Sequence, residues 1–301
     1  MKECIDELLD YYGIERTDKE GIWVKTDKGA IVPFNFDNKK EDNMRHFKNV
    51  IVRIPGKGIS EGITSNPQLG KPVYENALVQ HEHYVEALAK CGVQVNVLPP
   101  NNDFPDSCFM EDTALCTDKC AIISRPGAET RRNETQLEDF RKLLSSFYTN
   151  VHEITAPGMV EPGDIMMVGD TFYVGKSART NDEGFAQMKE ILEKYGKTVI
   201  QVPLEEVLHL KTGVNYLEDN NLLVAGEFVD NPLFASFNKI VVDADEAYAA
   251  NCIWVNGTVV VPAGYPKVQS AIEHLGYKVL VVDTSEYRKI DGGLSCLSLR
   301  F

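Results

Sequence analysis

Short apolar runs broken by two to four polar residues recur along most of the chain. Residues 114–116 and 120–123 flank Thr117-Asp118-Lys119, and 165–168 and 171–174 flank Gly169-Asp170. Residues 215–217 and 222–224 flank Glu218-Asp219-Asn220-Asn221, and 252–255 and 258–261 flank Asn256-Gly257. Asn-Gly and Gly-Asp between β-branched runs are hairpin signals, because such turns need residues that tolerate positive φ. Each predicted hairpin is followed by a helical pattern and a further strand. Leu137, Phe140, Leu143, Leu144 and Phe147 keep helical spacing ahead of a strand at 151–154. Phe185, Met188, Ile191, Leu192 and Tyr195 do the same ahead of 198–202. A short helix at 232–237 precedes a strand at 239–242, and a helix at 266–275 precedes one at 278–282.

A fifth copy comes first in the chain, as a strand at 49–53, a helix at 74–90 and a strand at 93–97. It lacks a local hairpin partner, and the terminal run 294–301 is available to supply one. A last segment completing the first unit favours a closed circular array over an open sheet, since closure removes unpaired edges. The expected fold is therefore α/β, a five-bladed pseudo-symmetric α/β propeller over residues 47–301. Residues 1–46 stand outside the pattern as an extension with a short helix from Cys4 to Tyr11 and a hairpin around Thr26-Asp27-Lys28-Gly29.

Composition narrows the function. A formal net charge of −14 without a basic run argues against nucleic acid. Surface carboxylates that keep the protein soluble account for most of that charge, and a cationic substrate is compatible with it. No stretch reaches the ~18 apolar residues that span a bilayer, and the N-terminus lacks the layout of a signal peptide. Seven cysteines at irregular spacing point to a reducing cytoplasm. Cys116 and Cys120 read as opposed strand positions. There is no C-x-x-C, and His81 and His83 would leave opposite sides of a helix, so neither a metal nor another cofactor is expected.

In a circular array, the loops ahead of the inner strands gather at one axis. Asp106, Glu111 and Asp112 precede the hairpin at 114–123, Glu161 and Asp164 the next, and His209 the one after; Cys296 falls in the closing strand. Each residue alone has a plain explanation, as a buried apolar thiol, a capping carboxylate or a core imidazole. Together they fit a thiol nucleophile working on a planar cation. A guanidinium is a poor electrophile, so attack needs carboxylates that grip its flat fork and hold its carbon against sulfur. Proton transfer to the departing amine, then from water, is work for one histidine oriented by a carboxylate.

At these residues the chain resembles the dimethylarginine dimethylaminohydrolase family of the guanidine-modifying (pentein) superfamily. The motifs are Pro105-Asp106-x-x-Phe109-x-Glu111-Asp112, Arg125-Pro126-Gly127-Ala128-x-x-Arg131-Arg132, Gly163-Asp164, Val174-Gly175-x-Ser177-x-Arg179-Thr180-Asn181, Leu208-His209-Leu210-Lys211, Ala249-Ala250-Asn251-Cys252-Ile253 and Asp291-Gly292-x-Leu294-x-Cys296. The resemblance runs from about Asn49 to Leu299 and implies a propeller that converts dimethylarginine to citrulline and dimethylamine. It implies Cys296 as nucleophile, His209 as proton donor and base, and Glu161 as the carboxylate beside it. Asp106, Glu111 and Asp112 would hold the guanidinium and the amino group. Arg131 and Arg179 would bind the amino-acid head, and Ile63 and Ile290 would contact the substrate through their backbones. The implied partner is a small cationic amino acid, and a homodimer is open to it. Leu297 stands where some relatives have a second cysteine. Lys211 stands where arginine deiminases usually carry a second aspartate, which favours a substituted guanidine. The alternatives are a deiminase or other arginine-hydrolysing enzyme, and a catalytically silent propeller acting as a scaffold.

Overall fold

In the computed structural model, which describes residues 22–25, 31–34 and 46–301, the chain divides into a unit of residues 1–43 and one of 44–301. In the first, β1 (Ile22–Lys25) pairs antiparallel with β2 (Ile31–Phe34), Lys25 opposite Ile31. The expected helix from Cys4 to Tyr11 and the turn at 26–30 lie outside the described residues.

The second unit builds its blades from one recipe. An inner strand pairs antiparallel with a middle strand, and the chain then crosses over to an outer strand parallel to the middle one. In the first blade β3 (Asn49–Arg53) is the middle strand; α1 (Tyr74–Lys90) leads to the outer strand β4 (Gln94–Leu98). The second blade runs β5 (Ala114–Cys116), β6 (Ala121–Ile123), α2 (Glu138–Phe147) and β7 (Val151–Glu153). The third runs β8 (Ile165–Val168), β9 (Thr171–Lys176), α3 (Asp182–Lys194) and β10 (Thr198–Pro203). In the fourth, a single-turn helix α4 (Leu210–Gly213) precedes β11 (Val214–Tyr216), β12 (Asn221–Val224) and β13 (Asn238–Val241). The fifth comprises β14 (Ile253–Val255), β15 (Thr258–Pro262), α5 (Pro266–His274) and β16 (Lys278–Val282). Finally β17 (Leu299–Arg300) returns to β3, with Leu299 opposite Ile51, and supplies the inner strand of the first blade. The result is the five-bladed α/β propeller.

Two expectations shift. The closing strand is only Leu299–Arg300, so Cys296 lies in the turn ahead of it and not within it. A residue in that turn can aim its side chain at the axis without obeying the pleat. The helix expected at 232–237 is a single 3₁₀ turn, Pro232–Phe234, because Pro232 and Asn231 start a turn that too few apolar positions extend.

Burial follows the layering. β5, β6, β12, β14 and β15 are buried at every position, whereas the outer strands β4, β13 and β16 are largely half-exposed. Inner and middle strands are covered on both faces, so they read as continuous apolar runs. Asn-Gly in the fifth blade turns with positive φ at both Asn256 and Gly257, as its sequence predicts. Among the described residues no helix is long and apolar enough to cross a membrane.

Candidate active site

The segment Glu161–Asp164, just ahead of β8, touches the neighbouring parts of the site. Glu161 is fully buried, and its Oε2 lies 2.7 Å from His209 Nε2. Its Oε1 accepts from the Ala128 N–H at 3.0 Å and from Arg179 Nη1 at 3.2 Å. The Gly163 N–H donates to Asp112 Oδ1 at 3.0 Å. Asp164, also fully buried, accepts the Leu210 N–H at 3.0 Å with Oδ1. Its Oδ2 accepts the hydroxyls of Ser177 (2.6 Å) and Thr180 (2.7 Å). Asp164 thus fixes both the backbone next to His209 and the loop that carries Arg179.

Gly163 has a steric reason to be glycine. A Cβ there would stand 3.0 Å from Cγ and Nδ1 of His209 and 3.1 Å from Asp112 Oδ1. Gly163→Ala is therefore expected to lower kcat by roughly 10- to 100-fold, by tilting the imidazole against Glu161. A steady-state assay beside a thermal melt checks this. A variant with full activity would show that the ring has room to yield.

The turn bearing Cys296 is held from several blades. Tyr84 on α1 donates to the Leu294 carbonyl at 2.9 Å and its hydroxyl pairs with Ser298 Oγ at 2.7 Å. The Glu111 N–H donates to the Cys296 carbonyl at 3.0 Å, and the Gly293 N–H points at the sulfur, 3.4 Å away. Asn251, immediately ahead of β14, accepts the Ser295 N–H at 2.9 Å and donates to its hydroxyl at 3.1 Å. Any Cβ on Gly293 would come within 2.6 Å of the Asn251 amide.

Charge around the sulfur is opposed to ionisation. Burial, then the carboxylates of Glu111 and Asp112, push the Cys296 thiol up to about 12; the Gly293 N–H and Lys211 act weakly the other way. His209 goes the opposite way. Burial alone would disfavour its cation, but the Glu161 hydrogen bond and the carboxylates of Asp164 and Asp112 raise it to about 9. Burial likewise works against the Glu161 anion, yet the hydrogen bond and charge of His209 hold that carboxyl below its usual range. At neutral pH the resting pair is thiol and imidazolium.

A cavity of about 40 Å³ brings the sequence-predicted residues together. Ile63, Asp106, Asp112, Arg131, Glu161, Arg179, His209, Ile290 and Cys296 all line it. Glu111 does not. Its Oε1 takes Lys211 Nζ (2.6 Å) and Arg300 Nη2 (2.9 Å), and its Oε2 takes the Ser295 hydroxyl (2.8 Å). Glu111, Lys211 and Arg300 also line a larger cavity of about 100 Å³ that does not reach Cys296 or His209. Arg131 lines the substrate-side cavity but aims its donors inward, at Asp112 Oδ2 (2.6 Å), Glu134 Oε2 (3.0 Å) and the Phe109 carbonyl (2.9 Å). Arg179 is the more exposed of the two arginines. The Ile63 N–H donates to Asp106 Oδ1 at 3.0 Å.

No cluster of metal-ligand type was legible in the chain, yet Asp112, Glu161 and His209 bring donor atoms within 4.8 Å of one another. They come from three separate blades, so no local spacing could reveal them. Arg131 on Asp112 and Arg179 on Glu161 place two fixed cations against this trio. Asn251, Ser295 and Asp164 had no assigned role in the sequence reading. Asn251 was findable, because it holds the same place ahead of its inner strand as Asp112, Asp164 and His209 hold ahead of theirs.

The comparisons with known proteins agree with this geometry. The family model described as N,N dimethylarginine dimethylhydrolase, eukaryotic, matches residues 65–242. The N(G),N(G)-dimethylarginine dimethylaminohydrolase of Pseudomonas aeruginosa is 58% identical over 256 residues, which is 85% of this chain and all of the relative. The protein of the same name from Streptomyces coelicolor is 34% identical, over 84% of this chain and 96% of the relative. A solved structure of a mutant of the Pseudomonas aeruginosa protein, complexed with citrulline, superposes with a TM-score of 0.84 at 57% identity, over 85% of this chain and all of that one. Propeller and site define a member of the guanidine-modifying superfamily. Within it, the chain belongs to the dimethylarginine dimethylaminohydrolase family.

Proposed function

We propose that this protein hydrolyses the guanidino C–N bond of N-methylated arginines, giving citrulline and a methylamine through a covalent intermediate on Cys296. The observation that carries the reading is one cavity in which Cys296, His209, Asp112 and Glu161 meet. The citrulline complex of the 57%-identical structure supports it from outside.

Each step follows from the site. A guanidinium entering the cavity brings a positive charge beside Asp112, which offsets the burial and the Glu111 and Asp112 charge that hold the thiol neutral, and so favours the thiolate. Sulfur attacks the guanidinium carbon. His209, held as the cation by Glu161, delivers its proton to the alkylated nitrogen as the C–N bond breaks. Water then adds to the amidino carbon while neutral His209 takes its proton. The C–S bond breaks, and the ureido product leaves. Arg179 suits the substrate carboxylate and Asp106 its ammonium group. Lys211 points at Glu111, so that position offers no carboxylate for extra guanidinium hydrogens. This supports an N-substituted guanidine over plain arginine.

The test compares turnover of arginine, monomethylarginine and dimethylarginine by purified protein. Preference for a methylated substrate is expected; preference for arginine would favour the deiminase reading, and inertness towards all three the scaffold. The pH profile has a definite sign. Reaction needs thiolate with imidazolium, while the free enzyme holds the thiol at about 12 and His209 at about 9. Below pH 9 the reactive form grows about tenfold per pH unit as the thiol ionises. Above it, further thiolate is cancelled by loss of the imidazolium. Accordingly kcat/KM should climb through neutral pH and level off near 9. A descent beginning below pH 7 would contradict the assignment of His209 as the acid.

A further inference from the structure

Two cavities meet at Cys296. The first, of about 40 Å³, is the substrate-side one, and among the described residues that line it none is exposed. The segment around Ile63 borders it. The Ile63 N–H is tied to Asp106 (3.0 Å), and the Ser65 N–H (2.5 Å) and Asn66 Nδ2 (2.8 Å) are tied to the carboxylate of Asp291, which borders the cavity. The second, of about 50 Å³, also reaches Cys296 and His209 but runs in another direction, past Gly163, Lys211, Asn251 and Tyr248 to Thr212. Among its described lining residues Thr212 is the exposed one. Space of this size, lined by polar groups, holds a few waters.

The proposed reaction, on which this inference rests, has a traffic problem. Once sulfur holds the amidino carbon, the amino-acid part still fills the first cavity. The freed amine must leave, and a water must reach the carbon beside His209. We infer that the second cavity is the port for this exchange: the small amine departs and the hydrolytic water arrives past Thr212, while the segment around Ile63 stays fastened over the substrate. In this step water forms the C–O bond, its proton passes to His209, and the C–S bond breaks to return the thiolate. Oxidation states do not change, and no co-reactant is needed.

The experiment narrows and widens the opening without touching groups that contact substrate. Thr212→Phe should lower kcat on dimethylarginine at least tenfold, and the smaller plug in Thr212→Leu by less. In a Cys296→Ser background, Thr212→Phe should leave the Kd and association rate of dimethylarginine within about twofold, because substrate enters by the other side. Added methylamine supplies a probe that a distorted His209 would not move. It can attack the adduct carbon in place of water, expel sulfur, and appear as monomethylarginine beside citrulline. Thr212→Gly should raise that ratio of monomethylarginine to citrulline at least threefold. An unchanged kcat in both plugged variants overturns the port, and so does an association rate that falls with kcat. An unchanged product ratio in Thr212→Gly overturns it as well. No turnover or substrate binding by the unsubstituted protein would instead remove the proposed function itself.

Discussion

Cys296→Ser is expected to reduce citrulline formation from dimethylarginine by more than about 10⁵-fold while the fold survives. The expected loss is large because serine is a far weaker nucleophile here. A hydroxyl there meets the same burial, and then the same Glu111 and Asp112 charge, that already hold the thiol at about 12, and its own ionisation is harder still. The turn itself should be undisturbed, since Tyr84, Asn251 and the Glu111 N–H bind backbone or neighbouring groups and not the sulfur. Intact-protein mass after mixing with substrate should show an adduct on the unsubstituted chain and none on the variant. Residual activity within 100-fold would point to a nucleophile other than Cys296.

His209→Ala carries the second largest effect, a fall in kcat of roughly 10²- to 10⁴-fold. Two distinct jobs are lost, protonating the amine and activating water. They can be separated by the leaving group. S-Methylthiocitrulline expels a thiol, which needs less protonation than an amine. The variant should therefore still form the adduct with it and then stall, because the water step has no base. Accumulation of adduct is the expected mass-spectrometric result, and free turnover of this substrate would show that another group serves as base. The levelling of kcat/KM near pH 9 should vanish too. Stability should fall modestly, since Glu161 would keep Arg179 on both oxygens and the Ala128 N–H but lose its short charge-assisted bond to the imidazole, a cost of about 1.5–3 kcal/mol.

The blades were legible because hairpin chemistry and helical spacing are local. Asn256-Gly257 turns where its sequence says, and α2, α3 and α5 begin and end close to the runs that announced them. The helix expected after β12 is a single 3₁₀ turn, and the closing strand expected over 294–301, with Cys296 in it, is only Leu299–Arg300. Both differences concern ends, where a few tertiary contacts outweigh propensity. The site was legible as a list of residues ahead of successive inner strands. Which of them faces substrate was not. Glu111 and Asp112 are adjacent in sequence, yet one is held by Lys211 and Arg300 and the other borders the substrate-side cavity.

Periodicity and turn residues were enough to specify five like units, their order, and the loops in which reactive side chains would sit. These depend on neighbours within a few tens of residues. The bonds that tie the Ile63 segment to Asp106 and Asp291, the two cavities that share Cys296 and His209, and the opposite shifts of those two residues arise from groups brought together across blades. Burial and charge are sums over everything nearby in space, and the chain acquires those neighbours when β17 closes on β3.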